Sequence, residues 1–134
     1  MSTATLVPSA SIGSHARGAA VRQTTMRARR TLLARATQVV CERYAEPLQI
    51  TDVAEQLGCS RRQLQRVYHD AGMPGFRSQL AMTRMHHAAA LLQSSPATPV
   101  SEIGAAVGYQ SSSQFIKTFR RHHGITPATY RAQA

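Results

Sequence analysis

The segment SRRQLQRVY at residues 60–68 concentrates side chains with recognition chemistry. Arginine and glutamine present paired hydrogen-bonding groups that match the major-groove edges of guanine and adenine, each good pair discriminating by about 1–3 kcal/mol. Leu64, Val67 and Tyr68 stand at i, i+3 and i+4. On a helix they share one face, which leaves Arg61, Arg62, Gln65 and Arg66 on the opposite one. A second set lies near the C-terminus, where Phe115 and Phe119 are four apart and Ser112, Ser113, Gln114 and Lys117 point elsewhere. These side chains are shorter and less directive than the first set. Arg120 and Arg121 follow and suit backbone phosphate or solvent better than base edges.

Other chemistries find no support. The six acids, at 42, 46, 52, 55, 70 and 102, fall mostly on helix surfaces or first turns, where helix dipole and solubility account for them. There is no glycine-rich phosphate loop, zinc-protease motif or nucleophile elbow, so no catalytic residue and no enzymatic activity is expected. His86-His87 and His122-His123 are adjacent pairs whose rings diverge on a helix, and neither a metal nor any other cofactor is expected. Met82 and Met85 read as ordinary helix packing. Cys41 falls on the apolar stripe of its helix and Cys59 in a turn; two isolated cysteines make no disulfide framework, so both read as packing residues in a reducing cytosol.

The partner class follows from charge. Sixteen Lys plus Arg oppose six Asp plus Glu for a formal +10, and every one of the sixteen except Lys117 is arginine. A polyanion is implied, since guanidinium is suited to forked contact with phosphate and guanine. The 134 residues, 43% hydrophobic, suffice for one or two small globular domains. No apolar run approaches the roughly 18 residues of a membrane span, and no signal-peptide core is present.

Several elements must position these side chains. Residues 1–28, rich in Ser, Thr, Ala and Gly, free of acids and without sustained periodicity, read as a flexible basic arm. From 29 to about 46, Leu32, Leu33, Ala36, Val39, Val40 and Tyr44 recur at helical spacing until Pro47. A short helix over 50–57 ends at Gly58, and Ser60 with Gln63 has capping-box spacing for the next. A longer helix over about 76–93 turns Phe76, Leu80 and Leu92 to the core, with Arg77 and Arg84 outside; it is about 27 Å long, near the ~34 Å between successive major-groove faces. It reads as a spacer. Thr98 and Pro99 suit the N-cap and first position of a helix that runs to Val107 and Gly108; serines at 111–113 cap the next, and Thr126-Pro127 opens a last one in which Tyr130 packs against the preceding unit.

The two short helix pairs are copies. A shift of 50 aligns Asp52 with Glu102, Val53 with Ile103, Leu57 with Val107 and Gly58 with Gly108; a shift of 51 aligns Leu64 with Phe115 and Tyr68 with Phe119. Each pair has the helix-turn-helix pattern, whose second helix enters the major groove. The expected fold is therefore all-α with about seven helices: two helix-turn-helix subdomains, about 29–75 and 94–131, joined by a linker helix over about 76–93.

This duplication, with LQRVY at 64–68, GY at 108–109, the F-x-x-x-F-R-R of 115–121 and G-I-T-P-x-x-Y-R at 124–131, resembles the DNA-binding domain of the AraC/XylS family of bacterial transcription regulators. The resemblance covers roughly residues 29–131 and departs from the family pattern at Gly72-Met73-Pro74-Gly75. It implies base contacts from Arg62, Gln65 and Arg66 in the first unit and from Ser112, Ser113 and Lys117 in the second. Phosphate contacts are then expected of Arg61, Gln114, Arg120 and Arg121. It further implies a bacterial, cytoplasmic, nucleoid-associated activator that binds double-stranded DNA as a monomer and engages RNA polymerase, controlled by abundance or by a protein partner, without a sensing domain of its own. The alternatives are a module that engages RNA polymerase or another regulator with weak or non-specific DNA binding, and a non-specific DNA coater.

Overall fold

Among the residues the structure describes, seven helices follow one another: α1 (Ala10–Arg43), α2 (Ile50–Leu57), α3 (Arg61–Asp70), α4 (Phe76–Ser94), α5 (Val100–Ala106), α6 (Ser112–His123) and α7 (Pro127–Gln133). The computed structural model describes residues 10–133, and among these there is no strand, as the all-α expectation requires. No helix among them is long and apolar enough to cross a membrane.

Short local signals delimit the first unit. The backbone N–H of Gln49 donates to Asp52 Oδ2 at 2.9 Å, which satisfies an otherwise orphaned donor at the start of α2. Gly58, at φ 73°, ends that helix in the left-handed region where a side chain would be strained. Ala36 and Val40 of α1, Val53 and Ala54 of α2, and Leu64 and Tyr68 of α3 then close one core. Phe76 and Leu80 complete it from the first half of α4.

The second half of α4 belongs to the other unit. Met85, Ala88 and Leu92 pack with Ile103, Val107, Tyr109, Phe115 and Phe119, and Tyr130 of α7 covers the cluster as expected. The linker helix is thus more than a spacer. It is a wall common to both cores, and each large side chain it buries contributes about 1.5–3 kcal/mol.

Five local expectations need correction. The arm expected over 1–28 is, from Ala10 onward, a continuation of α1; residues 1–9 lie outside the described residues. Arg22 to Ala28 are all exposed, so this stretch carries no apolar period, while the absence of proline between Pro8 and Pro47 lets its alanines and arginines extend the helix. Pro99, at ψ 147°, is the N-cap rather than the first helical residue, its carbonyl accepting from Glu102 and Ile103 at 3.0 and 3.2 Å. Cys41 is exposed, because the turn of about 100° after the buried Val40 carries it off the packed face. Met82 is 54% exposed, and only Met85 packs. Arg84 does not point outward, as shown below.

Candidate nucleic-acid interface

Capping fixes where α3 begins and therefore which way each side chain faces. Ser60 Oγ accepts from the Gln63 N–H at 3.0 Å, and Gln63 Oε1 accepts from the Ser60 N–H at 3.1 Å. That reciprocal pair commits Gln63 Oε1 to the cap. Leu64, Val67 and Tyr68 are buried, whereas Arg61, Arg62, Gln65 and Arg66 are all exposed on the other face.

Side-chain hydrogen bonds hold α3 in place. The Tyr68 hydroxyl donates to Gln79 Oε1 on α4, and Gln79 Nε2 donates to Thr37 Oγ1 on α1 at 2.9 Å. Burial pushes the Tyr68 phenol up to about 12, so it stays neutral and able to donate at any ordinary pH. Arg29 pairs with Asp70, the last residue of α3, at 2.9 Å. The helix is tied at its C-terminal end while its first turn faces solvent.

α6 repeats the design with an aromatic seat. Ser111 Oγ accepts from the Gln114 N–H at 3.2 Å, and Gly124 at φ 79° ends the helix. Phe115, Thr118 and Phe119 are buried, with Phe115 lying 5.7 Å from the Tyr109 ring and 5.9 Å from Phe119 between ring centroids. Ser112, Ser113, Gln114, Lys117, Arg120 and Arg121 are exposed. Among the described residues, no ion pair engages any arginine or lysine of α3 or α6, so their field is not neutralised internally.

The expected site residues therefore form two outward faces, one on each unit. Three further residues stand out that sequence reasoning missed. Ile116 is 36% exposed and, by the shift of 51, occupies the register of Gln65. The repeat itself was the signal that could have found it. Arg131 turns inward, its Nε and Nη2 donating to the carbonyls of Leu92 and Ser95 at the end of α4 at 3.2 and 3.1 Å. Arg84 also turns inward, donating from Nε to the Tyr44 carbonyl at 2.7 Å and from Nη2 to the Glu46 carbonyl at 2.8 Å. No local sequence pattern gives either arginine its partners, since their acceptors are backbone atoms distant in the chain.

An open cleft of about 420 Å³ lies beside α4, lined by Cys41, Met73, Pro74, Met82 and His86 among others, and gathers no acid. No group of three or more His, Cys, Asp or Glu side chains suited to a metal exists among the described residues.

Comparison with known proteins gives a consistent outcome. The helix-turn-helix domain family matches residues 53–133. The HTH-type transcriptional regulator GlxA of Rhizobium meliloti (strain 1021) is 34% identical over 88 residues, 66% of this chain and 27% of that protein. The HTH-type transcriptional activator RhaR of Salmonella schwarzengrund (strain CVM19633) is 30% identical over 103 residues, 77% of this chain and 36% of that one. The chain thus spans about a quarter to a third of the length of these curated relatives. Among solved structures, an AraC-type transcriptional regulator from Chromobacterium violaceum superposes with a TM-score of 0.73 at 33% identity, covering 78% of this chain and 92% of that one. The DNA-binding domain of AdpA, a global transcriptional factor solved with a target DNA, gives 0.68 at 28% identity over 75% and 90%.

Proposed function

Because the chain belongs to the AraC/XylS family of helix-turn-helix transcription regulators, we propose that it reads double-stranded DNA by laying α3 and α6 into adjacent major grooves on one side of an asymmetric site of about 20 base pairs. The observation that carries this reading is the paired, unneutralised polar faces of two capped helices whose opposite faces are buried in two cores sharing α4.

In this reading the subdomains, about 29–75 and 94–131, are two reading heads. Arg62, Gln65 and Arg66 contact bases and supply most of the direct readout, because their forks match purine edges. Ser112, Ser113 and Lys117 contact bases in the second groove with shorter side chains, and the exposed Ile116 offers apolar contact to a thymine methyl. Arg61, Gln114, Arg120 and Arg121 hold phosphates. The exposed Arg22, Arg27 and Arg30 on the extension of α1, a chain stretch free of acids before Glu42, add long-range attraction to the polyanion. Binding as a monomer follows from having both heads in one chain. Activation through RNA polymerase is part of the same proposal, supported by the likeness to a relative named as a transcriptional activator.

Selection of bound fragments from random duplex DNA by the purified protein, followed by salt titration on selected and scrambled sites, tests the reading. It expects a bipartite motif about one helical turn between half-sites, and a preference for the selected site that survives as salt rises. A steep salt slope without sequence preference would instead identify a non-specific coater, and weak binding to both duplexes an interaction module.

A further inference from the structure

The two units meet at one guanidinium. Arg84 lies near the middle of α4, between the residues that line the first core and those that line the second. Its Nε and Nη2 are donated to the carbonyls of Tyr44 and Glu46, in the turn that leaves α1 of the first unit. The Tyr44 carbonyl directly follows the last turn of α1, where carbonyls lack intrahelical donors and carry partial negative charge, so a cation there is well placed, while the Glu46 carbonyl also accepts from the Leu48 N–H at 2.7 Å. The same guanidinium lies 5.3 Å from the ring centroid of Tyr109, in the turn between α5 and α6 of the second unit.

Gly108 makes that approach feasible. At φ 110°, a Cβ built on it would fall 2.9 Å from Arg84 Nε and 3.0 Å from the Tyr44 carbonyl oxygen. Its counterpart in the first unit, Gly58, also has positive φ, but a Cβ there would meet nothing within 4 Å. The repeated turn is thus a plain helix stop in one copy and a fitted joint in the other. Tyr44 packs against both cores, and its ring stacks on His87, one helical turn from Arg84, at 4.1 Å and an interplanar angle of 3°.

We propose that Arg84, seated against Tyr44, Gly108 and Tyr109, is the positioning residue that sets the separation and angle of the two reading helices, and hence the half-site spacing the protein accepts. The inference rests on the two-headed reading above. One inserted base pair moves a half-site by about 3.4 Å and turns it by roughly 35°, so only a rigid joint can discriminate against it.

The test uses the full chain and a duplex selected by the wild-type protein, with derivatives carrying one base pair more or fewer between half-sites and a derivative with the second half-site scrambled. The wild-type protein is expected to bind the altered spacings at least about tenfold more weakly, the cost of losing one or more base contacts. Arg84→Met is expected to bind the natural spacing about tenfold more weakly, to bind the single half-site duplex as the wild type does, and to lose most of the spacing ratio. Gly58→Ala and Gly108→Ala form a matched pair: both strain a positive φ, but only Gly108→Ala should collapse the spacing ratio. A wild-type spacing ratio in Arg84→Met, or equal effects of the two glycine variants, would overturn the proposal. If Arg84→Met fails to fold, as read by circular dichroism, the glycine pair decides. Selection of no bipartite site would count against the two-headed reading itself, a distinct outcome.

Discussion

Gly104→Ala sets two physical effects against each other in the seat of α6. Gly104 is inside α5, where replacing glycine by alanine gains about 1 kcal/mol of helix propensity. Its added Cβ, however, would lie 2.8 Å from Phe115 Cδ2, 2.8 Å from Cγ and 3.0 Å from Cβ. Ordinary carbon contacts are about 3.5–4.0 Å, so three atoms of one side chain must retreat together. Phe115 is 0% exposed and boxed in by Tyr109 and Phe119, which leaves the ring nowhere to go. Overpacking of that kind costs about 1–3 kcal/mol, enough to cancel or exceed the propensity gain. A net loss of up to about 2 kcal/mol is expected in urea unfolding. The repeat supplies the control, because the first unit has Ala54 and Leu64 at the two corresponding places, both in its core. In a Phe115→Leu background, Gly104→Ala should therefore become neutral or stabilising, with a coupling of about 1 kcal/mol or more in the double-mutant cycle. A Gly104→Ala variant more stable than the wild type, or one with the same cost in both backgrounds, would refute this account of the α5/α6 approach.

Arg66→Ala should cost about 1–3 kcal/mol on the selected site and relax preference at one base pair, whereas Arg121→Ala should weaken selected and random DNA alike; fluorescence anisotropy on both duplexes separates them, and equal losses for Arg66→Ala on the two would remove it from the reading set. Ile116→Ala should lose affinity for a thymine-containing second half-site but not for the same site with uracil, which lacks the methyl group; an unchanged thymine-to-uracil ratio would exclude the contact. Tyr68, neutral when protonated, has a folded pKa of about 12 against 10.0 for the free group. Between those values the unfolded chain binds fewer protons than the fold, so stability is fully present below pH 10 and falls as pH rises toward 12, by up to about 1.4 kcal/mol per unit. Tyr68→Phe should flatten that decline in urea titrations while costing about 1 kcal/mol at neutral pH for the lost hydrogen bond to Gln79. An identical decline in the variant would contradict the assignment.

Helix starts, stops and faces were legible in the sequence because their causes lie within a few residues. Ser60 and Ser111 satisfy N–H groups three positions on, Gly58 and Gly108 take positive φ where their helices stop, and Leu64 with Tyr68, or Phe115 with Phe119, repeat at the helical period. The outward faces of α3 and α6 followed directly, since a side chain not on the packed face of an isolated two-layer unit meets solvent. The N-terminal part of α1 was not legible for the converse reason: with nothing packed against residues 22–28, they carry no period to read.

Only the tertiary structure distinguished Arg84 and Arg131 from the other arginines, Met85 from Met82, and Gly108 from Gly58. Each of these distinctions depends on atoms far away in the chain. Arg84 finds its acceptors 38 and 40 residues back, and Arg131 finds its own 36 and 39 residues back. Residue type and spacing encode what a side chain is able to do and which way its helix turns it. Which partner completes it, here a pair of backbone carbonyls at a helix end, is decided when the two cores close on α4.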